Sequence, residues 1–242
     1  MNVRTAAMLV GMSASLVFNA AGQGMEERRE SFESGGKKIG IEAFVSTSGK
    51  PGPALVVIHG AGGVEYGNGY IRQLATAFAA SGISTYLVHY FDRTGHRWVD
   101  DATIHKNFAT WLDTLSDAIE YIRKQPGVDE GRIALFGYSL GGYLAVAEGG
   151  RNSRVAAIVE LAGGIDPSYA RQTNRMPPTL VLHGDADVRV LPARAQELQE
   201  LLRKIEAPHE VQLYSGEGHV LSPAAALDAL TRGLAFLGKY LK

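Results

Sequence analysis

The residues that could do chemistry begin with Ser139, in the run Leu135-Phe136-Gly137-Tyr138-Ser139-Leu140-Gly141-Gly142. Residues 132–136 before it are short, apolar and rich in strand formers, and residues 140–148 after it include Ala145 and Ala147 among good helix formers. A strand that reverses at once into a helix needs a tight turn, with the residue at its apex held in a strained backbone conformation. Glycines two before and two after that residue remove the Cβ atoms that would collide as strand and helix close. The serine is then left in a cleft, above a helix N-terminus that favours developing negative charge. Gly-x-Ser-x-Gly alone occurs in ordinary turns; the strand before and the helix after give it meaning here.

A serine hydroxyl is a poor nucleophile unless a base accepts its proton, and the base needs a carboxylate to orient it. In a parallel α/β sheet such groups belong at the carboxyl ends of strands. The strand expected at 179–183 leads into His183-Gly184-Asp185-Ala186-Asp187, and the strand at 210–214 leads into Ser215-Gly216-Glu217-Gly218-His219. Ser139, Asp187 and His219 therefore follow one another in the order nucleophile, acid, base, each after a strand. Two other carboxylates compete for the acid role: Asp185, which could instead shape the turn, and Glu160, which could be a satisfied strand-end charge. A tetrahedral intermediate also needs N–H donors, each typically worth ~3 kcal/mol. The N–H of Leu140 is one candidate, and Ala61, then Gly62, in the glycine-rich loop His59-Gly60-Ala61-Gly62-Gly63 are the others. No Gly-Lys-Ser/Thr follows that loop, so a phosphate cradle is a poor reading. His59 and His183 each precede a glycine at a strand end and read as structural. Asp100, Asp101 and His105 fit no strong metal-ligand spacing. In the loop 92–98, Arg93, Arg97 and Trp98 could recognise an acidic or aromatic acid portion, or could be a solvated loop with one aromatic packed down. Tyr138 could line the pocket or only pack.

The elements that must position these groups alternate regularly. Strands are expected at 37–45, 54–58, 83–88, 132–136, 155–161, 179–183 and 210–214, and helices at 71–80, 108–123, 140–148, 192–204 and 223–241. That alternation predicts one α/β domain with a doubly wound, mostly parallel sheet and helices on both faces. The 242 residues, 45% of them hydrophobic, suffice for one large core. A formal net charge of −1 without a basic stretch argues against nucleic acid, and the absence of cysteine excludes disulfides and a thiolate nucleophile. Residues 1–22 differ from the rest: Arg4, then an uncharged apolar run, then Ala20-Ala21-Gly22. That order predicts a secretory signal peptide cut before Gln23 and an exported, periplasmic or secreted, protein without stable membrane association. Residues 23–36 are expected to be a charged lead-in, with 26–33 at the surface or as an edge strand, and 37–242 the catalytic domain.

The chain resembles the α/β-hydrolases, and within them most closely the dienelactone hydrolase family. The resemblance rests on His59-Gly60-Ala61-Gly62-Gly63, Gly137-Tyr138-Ser139-Leu140-Gly141-Gly142, His183-Gly184-Asp185-Ala186-Asp187 and Gly218-His219, in family order from about residue 37 onward. It implies an α/β-hydrolase fold and hydrolysis of carboxylic esters or lactones without a cofactor. The family's His-Gly-x-x-Asp loop carries its acid at the last position, which favours Asp187 over Asp185. One departure is clear: the dienelactone hydrolases proper use cysteine where this chain has Ser139, so the family name does not give the substrate. The expected partner is a small-molecule ester or lactone. The alternatives are a peptidase, although related peptidases usually carry a gating domain for which this chain has no room, and a binding protein that keeps the fold without activity.

Overall fold

Strand β3 (Gly52–Ile58) shows how the centre of the molecule is built. Side chains of successive strand residues point to opposite faces. Ala54, Val56 and Ile58 accordingly join one buried cluster, and Leu55 and Val57 join another on the opposite side of the sheet. The chain is described by a computed structural model at residues 24–47, 49–66 and 69–242. The expected signal segment, 1–22, lies outside the described residues.

Eight strands form one sheet in the order β1-β2-β4-β3-β5-β6-β7-β8, comprising β1 (Met25–Ser34), β2 (Lys37–Ser46), β3, β4 (Ser84–Val88), β5 (Val128–Tyr138), β6 (Val155–Leu161), β7 (Thr179–Gly184) and β8 (His209–Tyr214). The β1–β2 and β2–β4 pairs are antiparallel and all others parallel. Helices α2 (Asp101–Ile122), α3 (Leu140–Arg151) and α5 (Ala193–Lys204) cover one face, where Trp111, Leu115, Leu144 and Leu198 are fully buried. Helices α1 (Tyr70–Ala79) and α6 (Pro223–Tyr240) cover the other through Phe78, Phe236 and Leu237. A four-residue helix, α4 (Pro167–Ala170), follows β6, with the Asp166 side chain accepting the Ser168 N–H at its start.

Residues 26–33, expected at the surface or as an edge strand, form the edge strand: β1 pairs with β2 along its whole length, through a tight turn in which Gly35 and Gly36 have φ of 47° and 74°. Its first residues are exposed on both sides. One boundary differs from the sequence-based expectation. Helix α2 begins at Asp101 rather than 108, because Asp100 caps it by accepting the Thr103 N–H at 2.9 Å. Its first two turns lie near the surface and carry polar residues, which hid the helical period.

Candidate active site

The turn at Ser139 is forced by close approach. A Cβ on Gly137 would sit 2.1 Å from the Gly141 carbonyl oxygen, and one on Gly141 would sit 2.1 Å from that of Ile58. Only glycine lets β5, α3 and β3 meet at this distance. Ser139 itself has φ 56° and ψ −120°, a strained conformation for a residue with a side chain. The surroundings hold it there: its N–H donates to Leu161 O at 2.9 Å, and its carbonyl accepts the N–H groups of Gly142 (2.8 Å) and Tyr143 (3.2 Å).

The loops after β7 and β8 bring the other two residues to it. His219 Nε2 lies 2.9 Å from Ser139 Oγ, and His219 Nδ1 lies 2.7 Å from Asp187 Oδ2. The carboxylate assigns the proton to Nδ1, which leaves Nε2 free to accept from the hydroxyl. Asp187 Oδ1 accepts the N–H groups of Arg189 (2.8 Å) and Val190 (2.9 Å). Burial pushes the Asp187 carboxyl up, but the bond from His219 and those two N–H groups outweigh it and hold the carboxyl below its ordinary value. An ionised carboxylate, an imidazole and a hydroxyl in this arrangement can withdraw a proton from the hydroxyl as its oxygen attacks.

Two histidines and a tyrosine brace the loops around the serine. His183 donates from Nε2 to Val190 O at 2.8 Å, and Nε2 lies 3.4 Å from Asp187 Oδ2. His59 donates from Nδ1 to Gly60 O at 2.9 Å and stacks on Tyr90 with ring centroids 4.2 Å apart. Burial pushes His59 down to about 3, so it stays neutral. Tyr138 donates its hydroxyl to His219 O at 3.2 Å and packs beside the imidazole. It holds the base in place and is not among the residues lining the cavity.

Neither competing carboxylate touches His219. Asp185 accepts the Gly216 N–H at 2.6 Å and ties the two loops together. Glu160 is fully buried beneath the first turn of α3, with Oε1 accepting the Gly163 N–H and Oε2 without a partner. Burial pushes its carboxyl up to about 8, so it is protonated at neutral pH.

A cavity of about 660 Å³ opens at Ser139, and Ala61 and Leu140 line it with the serine. Leu140 is the first residue of α3, so its N–H has no partner within the helix. Ala61 is fixed by a turn in which the Gly63 N–H donates to Gly60 O at 3.0 Å, and by the Val99 N–H on its own carbonyl at 2.9 Å. Gly62 does not line the cavity; the Tyr66 ring covers it, and a Cβ there would meet that ring at 2.6 Å.

The loop 92–98 is not brought to the cavity. Arg93 reaches away to the Gly35 carbonyl in the β1–β2 turn, and Trp98 is 69% exposed. The backbone bond from Val99 to Ala61 spends this segment on supporting the glycine-rich loop. The distal wall comes instead from residues that the sequence did not single out, among them Tyr143, Ile165, Tyr169, Arg189 and Arg194. They lie on separate segments, and their spacing carries no signal. Among the described residues no cluster of three or more His, Asp or Glu side chains could hold a metal ion.

A sequence profile described as the dienelactone hydrolase family matches residues 41–229. No curated protein matches the chain in sequence. Solved structures do resemble it. One is a dienelactone hydrolase-like promiscuous phosphotriesterase from metagenomic libraries, at 20% identity and TM-score 0.79 over 90% of this chain and 100% of that one. An esterase from Pyrobaculum calidifontis has 18% identity and TM-score 0.71 over 90% of this chain and 86% of that one. A puromycin-hydrolysing peptidase from Mycobacterium tuberculosis has 18% identity and TM-score 0.73 over 90% of this chain but 39% of that one. At these identities the likeness is one of fold, and the three carry different activities on it. The match over most of the length, together with this fold, makes the chain a hydrolase that belongs to the dienelactone hydrolase family.

Proposed function

We propose that this hydrolase cleaves carboxylic esters or lactones through an acyl-enzyme on Ser139. The observation that carries the reading is the unbroken relay from Asp187 through His219 to Ser139, with links of 2.7 and 2.9 Å, at the mouth of a cavity of about 660 Å³. His219 takes the hydroxyl proton as Ser139 Oγ bonds to the carbonyl carbon. The oxyanion is held by the N–H groups of Leu140 and Ala61, both of which line the cavity. His219 then gives the proton to the leaving alkoxide as the C–O bond breaks. Water, deprotonated by the same imidazole, attacks the acyl carbon and releases the acid, restoring Ser139. Because the cavity reaches Ser139, the serine is not plugged by the chain's own side chains, which speaks for turnover rather than binding alone.

The order of residues 1–22 supports export of the mature chain. The catalytic reading is tested with short-chain p-nitrophenyl esters. Wild type should turn them over, and Ser139→Ala and His219→Ala should each lower kcat/KM by about 10³-fold or more while remaining folded. Full activity in either variant would overturn it.

A further inference from the structure

Resting on the serine-hydrolase reading above, we infer that the cavity beside Ser139 selects an uncharged acyl group, because its inner wall is apolar and each of its rim arginines already has a carboxylate against it. The wall nearest the protein interior is formed by Leu140 and Ile165, which are buried, and by the half-buried Ala61, Ile104, Phe108 and Val190. The charged residues stand at the exposed rim. Arg189, on the acid loop, reaches Asp101 at the start of α2 at 2.6 Å, with side chains 54% and 69% exposed. Arg194 is bound to Glu197 at 2.7 Å and also feels Asp166 on the opposite rim. Asp166 in turn accepts the backbone and hydroxyl hydrogens of Ser168. His105, Tyr143 and Tyr169 are the remaining titratable groups on this lining, and His105 lies close enough to influence both Asp101 and Asp166.

Each lining arginine thus has a carboxylate against it. An acyl chain ending in a carboxylate would enter an apolar slot whose two arginines already face carboxylates, or would have to displace Asp101 from Arg189. Either course costs the anion its hydration without return. A neutral acyl chain has only apolar surface to give up to Ile104, Phe108, Ile165 and Val190, and each buried methylene is worth about a threefold to fourfold gain. The cavity's size suits chains well beyond acetyl.

The test uses a matched pair: mono-p-nitrophenyl adipate, an anion at pH 7, and its methyl ester, which caps the carboxylate with one methyl group and so lacks the charge. The methyl ester should have a kcat/KM about a hundredfold higher. Along neutral p-nitrophenyl esters from acetate to hexanoate, kcat/KM should rise about threefold per methylene. In Asp101→Asn, Arg189 loses its partner, so the anion should gain about tenfold relative to the methyl ester, and added salt should shrink that gain. The same preparations are treated with a fluorophosphonate. Labelled Ser139 with the anion turned over as fast as its methyl ester, or with neither turned over, overturns the selection of uncharged acyl groups alone. An unchanged anion-to-ester ratio in Asp101→Asn does so too. Absence of the label overturns the serine reading, and this inference with it.

Discussion

Glu160 makes the fold sensitive to alkaline pH, and the size of the effect follows from its burial. It lies on β6 opposite Gly137 of β5, with no exposed surface and with Oε2 unpartnered. Unfolded, its carboxyl has the ordinary value of 4.5; folded, burial raises it to about 8, against the opposing bond from Gly163. Below 4.5 both states hold the proton, and the group costs the fold nothing. Between 4.5 and 8 the unfolded chain gives up its proton and the folded one does not, so stability falls as pH rises, by about 1.4 kcal/mol per pH unit. Above 8 the loss is complete. From pH 5 to pH 8 the contribution comes to about 3–4 kcal/mol, a large part of the ~5–15 kcal/mol that stabilises a typical domain. Tyr143, the neighbour that feels the Glu160 charge, is pushed up to about 12 by burial and stays neutral throughout this window. The perturbation is Glu160→Gln, and the assay is urea unfolding followed by tryptophan fluorescence at several pH values. The amide leaves buried donors unpaired and lowers the overall level by ~1–3 kcal/mol. Its effect on the slope is the test. The variant should lose stability with pH more gently than wild type, so that the difference between them shifts by about 3–4 kcal/mol in its favour from pH 5 to pH 8. Parallel curves would show that Glu160 does not hold its proton in the folded protein.

The remaining predictions concern the relay, the turn and the N-terminus. Asp187→Asn should lower kcat/KM by about 10³- to 10⁴-fold by reversing the hydrogen-bond demand on His219, whereas Asp185→Asn should cost less than about tenfold. A larger loss from Asp185→Asn would reverse the acid assignment. Gly141→Ala drives a Cβ to 2.1 Å from Ile58 O and should cost ~3 kcal/mol or more, seen as a lower urea midpoint. Gly238→Ala, in α6 with nothing within 4 Å of the added carbon, should instead gain ~0.5–1 kcal/mol. A Gly141→Ala protein as stable as wild type would contradict the close approach of α3 and β3. Expressed with its own N-terminus, the exported protein should have the mass of residues 23–242; an exported chain still beginning at Met1 would contradict cleavage.

The candidate site was legible because each of its residues lies at or just past the carboxyl end of a strand. Gly137 and Gly141 mark the turn, Asp187 and His219 fall in loops just past β7 and β8, and the sheet itself brings those strand ends together. The positions of most strands and helices followed from the same alternation. The β1 strand was legible only as one of two readings, surface lead-in or edge strand, since its charged first residues face solvent on both sides and show no alternation. The early start of α2 was hidden for a related reason: its first turns are stabilised by the Asp100 cap rather than by an apolar stripe. The cavity wall was least legible. Ile165, Arg189 and Arg194, which lie after β6, after β7 and at the start of α5, line one cavity only because the sheet sets those segments side by side, and nothing in their spacing encodes that. The loop 92–98 misled because its arginines and tryptophan are suited to binding a substrate. Arg93 is spent on the β1–β2 turn instead, and the backbone at Val99 is spent on Ala61.

In the proposed mechanism Ser139 Oγ is the atom that becomes covalently bonded. Purified protein treated with a fluorophosphonate, digested and mapped by mass spectrometry, reads that atom directly. A single adduct is expected on the peptide that carries Ser139, formed rapidly in wild type, strongly slowed in His219→Ala and absent in Ser139→Ala. A folded wild-type protein with no adduct, or with its adduct on another residue, would contradict it.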